Sequence, residues 1–165
     1  ATGGRVLNPS LRKYISLAAS NRNIMLKELS LVWTSHPNKI YSGRKYLNFN
    51  ISGQSLRDYL ESKNKSSVTP FGFFSNAEEQ KRTLRIFKFQ DKTQLKDNRV
   101  ELYVCEDCGD IGCGSITTEI KDFGDKIIWR KFALQSNPEE IGQLINVEQI
   151  EFERQNYFKA FSMVV

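Results

Sequence analysis

Between Arg99 and Leu134 the chain carries three alternating segments and two tight bends. "RVELYVC" runs into a glycine-rich bend, "GSITTEIK" returns from it, and "KIIWRKFAL" follows a second reversal at "DFGD". Apolar and polar residues alternating at period two, bounded by Gly and Asp, specify neighbouring antiparallel strands, because connections this short cannot bring a chain back parallel. A three-stranded meander of this kind cannot stand alone in water. One of its faces must lie on other elements.

The rest of the chain supplies those elements. Asn8 and Pro9 open a short helix with Leu11, Tyr14, Ile15 and Ala18 at helical spacing. Residues 26–34 alternate through Leu29, Leu31 and Trp33, "HPNK" turns the chain, and residues 45–51 place Leu47, Phe49 and Ile51 on one face, so a long-looped hairpin is expected. "SGQSLRDYLES" reads as a helix capped by Ser52 or Ser55, with Leu56, Tyr59 and Leu60 inward. Phe71, Phe73 and Phe74 around Gly72 cap the core or, as the alternative, form an exposed partner-binding patch. Ser75 and Glu78 make a capping box for a helix anchored by Leu84 and Phe87. Residues 135–149 read as an irregular connection with room for a short helix, and Tyr157, Phe158 and Phe161 mark a closing helix after Phe152. The expected architecture is one α+β domain over residues 1–165, a mainly antiparallel sheet whose C-terminal meander packs against several helices. The chain opens without Met, and its first five residues are expected to be flexible or tag-derived.

Charge divides the molecule. Residues 1–100 hold 18 Lys and Arg against 7 Asp and Glu, a balance of +11, whereas 101–165 hold 6 against 12, a balance of −6. A solvated basic face is the plain explanation of the first half. Nucleic-acid binding would call for a reading motif among the cations, and no helix-turn-helix, zinc-finger or RNP pattern is present, so none is expected. No apolar run approaches the roughly 18 residues of a spanning helix, and the start lacks a signal sequence. An odd count of three cysteines argues against a disulfide framework. A cytoplasmic protein without membrane contact is expected.

All three cysteines lie within nine positions, in "CEDCGDIGC". Three chemistries compete for them. Zinc takes four ligands; Cys105, Cys108 and Cys113 offer three, and the single histidine, His36, lies about seventy positions upstream, so a complete set would require the first hairpin folded against this turn. A thioredoxin-like pair normally opens a helix, and here Glu106 and Asp107 between the thiols oppose thiolate formation. The third reading is structural. Gly109, Gly112 and Gly114 supply positive φ, Asp107 and Asp110 fold back on backbone amides, and Cys105, Cys108 and Cys113 fill the narrow space under the turn. A Cys105–Cys113 crosslink under oxidation stays conceivable. On this third reading neither metal nor cofactor is expected.

Catalytic constellations are not visible elsewhere. One histidine forms no local triad, the carboxylate pairs at 106/107 and 139/140 sit in turns, and "DFG" at 122–124 lacks the companion motifs of a kinase. A non-catalytic protein without a small-molecule substrate is expected.

The stretch "RVELYVCEDCGDIGCGSITTEI…KIIWRKFAL" resembles a hairpin of the form "lYvCpdCGDlGCGaiT…W.dF" in an uncharacterised bacterial family, some of whose members are encoded beside polymorphic or contact-dependent growth inhibition toxins. "IEFERQNYFKAF" is similar to that family's "F.F.r..Y..al" ending, and "NFNISGQSLRDYL" to its upstream strand, turn and helix. The similarity covers a third to half of the chain. It implies a cytoplasmic immunity protein that binds a cognate toxin domain and blocks it without catalysis. Immunity proteins against basic nuclease toxins are commonly acidic, whereas this chain carries +5 overall, so the acidic half is the expected contact, through Glu106, Asp107 and Asp110 at the hairpin tip. The alternatives are a zinc-binding module touching nucleic acid through its basic N-terminal half, and an oxidoreductase using the cysteine pair.

Overall fold

The computed structural model describes residues 25–36, 38–60, 67–72 and 76–164. The helix expected after Asn8 lies outside them, as do Phe73, Phe74 and Ser75. The architecture is α+β with antiparallel sheets, as the sequence implies.

Strands β1 (Leu29–Ser35) and β2 (Lys45–Ile51) form the first hairpin in continuous register from Leu29↔Ile51 to Ser35↔Lys45. Ser52 and Gly53, both at positive φ (50° and 85°), turn β2 directly into the two-residue β3 (Gln54–Ser55). Two consecutive positive φ angles match the right-handed twist of the flanking strands. That turn shortens the expected helix to a single turn, α1 (Leu56–Tyr59). Ser55 precedes it without a side-chain capping bond, because its Oγ accepts from Asn48 Nδ2 at 3.0 Å. Leu56 and Leu60 are nevertheless buried.

The second sheet runs in the order β4 (Ser67–Val68), β5 (Arg99–Cys105), β6 (Ser115–Asp122), β7 (Lys126–Gln135) and β8 (Gln143–Leu144). β9 (Ile150–Glu153) lines the first half of β7 on the same edge as β8, from Lys126↔Glu153 to Trp129↔Ile150. The expected meander is therefore present, and β9 is added to it. No helix forms in 135–149; there β8 and backbone bonds such as Ile145 N to Phe132 O (2.8 Å) hold the chain against the sheet.

Both margins of the two sheets are stitched together. Lys27 forms a parallel bridge to Phe152, its N–H donating to Glu151 O at 2.7 Å. Opposite, Leu47 N donates to Phe71 O at 3.0 Å, and Thr69 Oγ1 donates to Leu47 O at 2.6 Å. The strands close into a hydrogen-bonded ring round one apolar cluster fed by both sheets.

Two helices supply rings to that cluster. In α2 (Ala77–Phe87), Asn76 is the N-cap, accepting from the amides of Glu78 and Glu79, which replaces the expected Ser75 box. Phe87 is buried and Leu84 packs on the same cluster. The closing helix α3 (Arg154–Ala160) is capped by the Glu153 carboxylate and buries Tyr157, with Phe161 just beyond it. Phe49 and Trp129 meet edge to face at 5.4 Å, and Phe87 and Phe161 lie tilted at 5.2 Å. Burial of each such ring contributes about 1.5–3 kcal/mol. Phe71 is fully buried among them, so this residue of the phenylalanine cluster caps the core.

Trp33 does not follow Leu29 and Leu31 inward. It is 54% exposed and lies over Gly72, close enough that a Cβ there would meet its ring at 2.8 Å.

Candidate functional site: a three-thiol turn braced by the first hairpin

β5 ends on Cys105, and the chain must reverse into β6 within nine residues. Two stacked turns do this. Gly109 N donates to Cys105 O at 3.0 Å with Gly109 at φ 68°, and Asp110 then caps a 3-10 turn over Ile111–Cys113, its Oδ1 accepting from Gly112 N at 2.6 Å. Gly114, at φ 96°, releases the chain into β6. The expected positive φ is thus present at Gly109 and Gly114, whereas Gly112 is required for another reason. A Cβ on it would lie 2.8 Å from Asp110 Oδ1.

The thiols are not packed beneath this turn as filler, which corrects the sequence expectation. Cys108 and Cys113 are exposed and Cys105 is half-buried; all three are free, and their sulfurs lie within 4.8 Å of one another. Cys108 Sγ and Cys113 Sγ are 3.4 Å apart. The path of the turn aims the Cβ–Sγ bonds together. One amide points at a sulfur: Asp110 N donates to Cys108 Sγ at 3.4 Å. Burial pushes the Cys105 thiol up, but the Cys108 and Asp107 backbone amides and the neighbouring thiols outweigh it and hold its pKa below the ordinary value. The Cys113 thiol is pushed up to about 12, first by its bond to Cys108 and then by Cys105.

The loop of the first hairpin is docked on this turn. Asn38 Nδ2 donates to Glu106 Oε1 at 2.9 Å, His36 Nε2 lies 3.8 Å from Glu106 Oε2, and Tyr41 O–H donates to Asp107 Oδ1. His36 Nδ1 accepts from the Asn38 amide at 3.2 Å, and its ring stands edge-on to Tyr41 at 4.8 Å. The hairpin contact that a Cys3His set would require therefore exists, yet His36 is turned to Asn38 and Glu106 and is not one of the donors that converge. The Asp107 carboxylate raises the Tyr41 hydroxyl pKa through their hydrogen bond. Under the loop, Tyr46, Val68 and Val104 form a small apolar cluster of their own.

The three expected contact carboxylates have different fates. Glu106 is 2% exposed and braces the two loops from inside, so it is corrected from a rim residue to an internal strut. Asp107 and Asp110 are exposed, one holding Tyr41 and the other capping Gly112. Asn38 and Tyr41 were not legible as partners of the turn, being some seventy positions distant, and His36 was read only as a fourth zinc ligand. Their polar and aromatic character next to Pro37 is the only local signal. A groove of about 780 Å³ between the end of α2 and the β6–β7 hairpin is also new, lined among others by Phe89, Lys92, Asp97, Lys121 and Lys131.

Comparison of the chain with protein-family models, curated proteins and solved structures finds no match.

Proposed function

We propose that this chain is a non-catalytic binding module, an immunity protein that neutralises a cognate bacterial toxin domain in the cytoplasm by occupying its surface. The observation carrying this reading is the fusion of two loop tips, residues 36–44 and 105–113, into one platform through Glu106 and the Tyr41–Asp107 bond. Loops cross-braced in the free protein lose little freedom on binding, and that lowers the entropic cost of association.

The residue types exposed on the first hairpin suit a protein partner. Trp33 is 54% exposed and Ile40 82%, while Arg44 stacks on Tyr41 with its guanidinium carbon 5.4 Å from the ring centre. Trp, Tyr and Arg are the side chains on which protein interfaces concentrate their energy. Asp107 and Asp110 add rim charge that speeds encounter with a basic partner patch. The one histidine of the chain is held between Asn38 and Glu106, and this favours a bracing role for it over acid-base work.

The test is genetic and biochemical. Cells making the toxin encoded beside this gene should survive when they also make this chain, and the two purified proteins should form a one-to-one complex. Trp33→Ala should weaken that complex by roughly tenfold or more, the scale of an anchoring aromatic. Cells that stay fully sensitive to the toxin would end the proposal.

A further inference from the structure

From the turn between β5 and β6 we infer that Cys105, Cys108 and Cys113 form a binding site for one thiophilic divalent cation, zinc first, held by three thiolates with water as the fourth ligand. The inference is independent of the toxin-binding proposal and stands or falls alone.

Four observations converge on it. The first is distance. Tetrahedral zinc with Zn–S bonds of about 2.3 Å places its sulfurs about 3.8 Å apart. The three sulfurs here already lie within 4.8 Å of one another, with Cys108 and Cys113 at 3.4 Å, so small rotations about the Cα–Cβ bonds complete the set. The second is exposure. A free thiol used only for packing is usually buried, yet Cys108 and Cys113 face solvent, where a cation can enter and a water can fill the open position. Third, the backbone amide of Asp110 donates to Cys108 Sγ at 3.4 Å. Amide donors of that kind stabilise coordinated thiolates from outside and fix their direction.

Rigidity is the fourth. Asp110 locks Gly112, Gly109 and Gly114 set the bends, and Glu106 ties the turn to the first hairpin. The sulfurs are therefore presented before any ion arrives. A Cys108–Cys113 disulfide would instead shorten 3.4 Å to about 2.05 Å. It would also need an oxidant and would leave the Cys105 thiol, within 4.8 Å of both others, unpaired.

Binding balances as a proton exchange: Zn²⁺ displaces the protons of three thiols and retains one water. No electrons move, and the occupied site carries one net negative charge. It would add to Asp107 and Asp110 on the same tip.

Full-length chain kept reduced should be titrated with Co²⁺ and then Zn²⁺. One Co²⁺ per chain is expected, with thiolate-to-cobalt charge-transfer absorption and the visible bands of a tetrahedral ion, both abolished by one equivalent of Zn²⁺. Cys113→Ser, at an exposed position, should leave the near-ultraviolet circular dichroism unchanged. It should weaken the metal on the order of 100-fold and strip most of the charge-transfer band. Cys108→Ala serves as the second variant. No stoichiometric binding by reduced protein overturns the inference, as does binding that both variants leave intact, or octahedral cobalt bands.

Discussion

The two hairpin turns of the main sheet are built by the same rules and loaded differently. In each, an Asp carboxylate accepts from the amide two residues on, Asp110 from Gly112 at 2.6 Å and Asp122 from Gly124 at 2.8 Å. In each, a glycine at φ near +90° finishes the reversal, Gly114 at 96° and Gly124 at 91°. The β6–β7 turn spends its spare valence on the fold: Asp122 also pairs with Arg154 of the closing helix at 3.0 Å. The β5–β6 turn is nine residues long, holds two exposed thiols beside the half-buried Cys105, and is braced by a loop seventy positions away. A turn that only reverses a chain needs neither extra length nor a brace. Loops held on a rigid scaffold are where binding residues concentrate.

That contrast can be broken by metal first. At a free zinc concentration one hundred times its dissociation constant, the reduced protein should gain about 2.7 kcal/mol of stability. Thermal melts with and without zinc measure it, and Cys113→Ser should cut the gain to about 0.4 kcal/mol, whereas Asp122→Ala should keep it. Next in size are the struts. Glu106→Ala leaves Asn38 and His36 facing a lost partner in a buried place and should cost about 1–3 kcal/mol in urea unfolding. Asp122→Asn keeps a side-chain oxygen for Gly124 N, removes the ion pair with Arg154, which is part exposed, and should cost about 0.2–1 kcal/mol. Equal costs in the two variants would erase the distinction between the turns.

The glycines test the shared grammar. A Cβ at Gly114 or at Gly124 meets nothing within 4 Å, so alanine there is opposed by backbone strain alone. Both substitutions should cost about 1–2 kcal/mol, and about the same amount. A large inequality would show that one turn is strained by its load.

The smallest effects are in pH, and the two hairpins should differ in sign. Burial would push the Glu119 carboxyl up, but Lys131 and Arg130 outweigh it and hold it below its ordinary 4.5. Its stabilising contribution is present above pH 4.5 and is lost as pH falls through the lowered value. Glu101, in the cysteine hairpin, is instead raised above 4.5 by burial, against a weaker opposing bond from Ser115. Its contribution is full below pH 4.5 and is lost as pH rises through the raised value. Stability profiles of Glu119→Gln and Glu101→Gln should flatten on opposite sides of that pH.

The meander was legible to within a residue or two because its alternation and its turns are local signals. Strand β9 was not, since Ile150–Glu153 is only four residues long and runs straight into a helix. Trp33 keeps the parity of Leu29 and Leu31, yet the closing ring leaves no interior for it at the end of β1. In the candidate site the spacing of the cysteines and the glycine turn could be read, but the direction of the sulfurs could not. It depends on two stacked turns whose bonds, Gly109 to Cys105 and Gly112 to Asp110, exist only in three dimensions. Glu106 was misplaced for a related reason: its partners come from a distant loop, and distance along the chain hides them.

The seam between Lys27 and Phe152 joins residues 125 positions apart. Pairings that distant demand a large search and form slowly. During synthesis the first hairpin emerges early but must wait unsealed until β9 has left the ribosome, with the flank of β1 open meanwhile to other chains. Crowded overexpression should thus produce aggregates through that unfinished edge, and slower translation or lower temperature should relieve them.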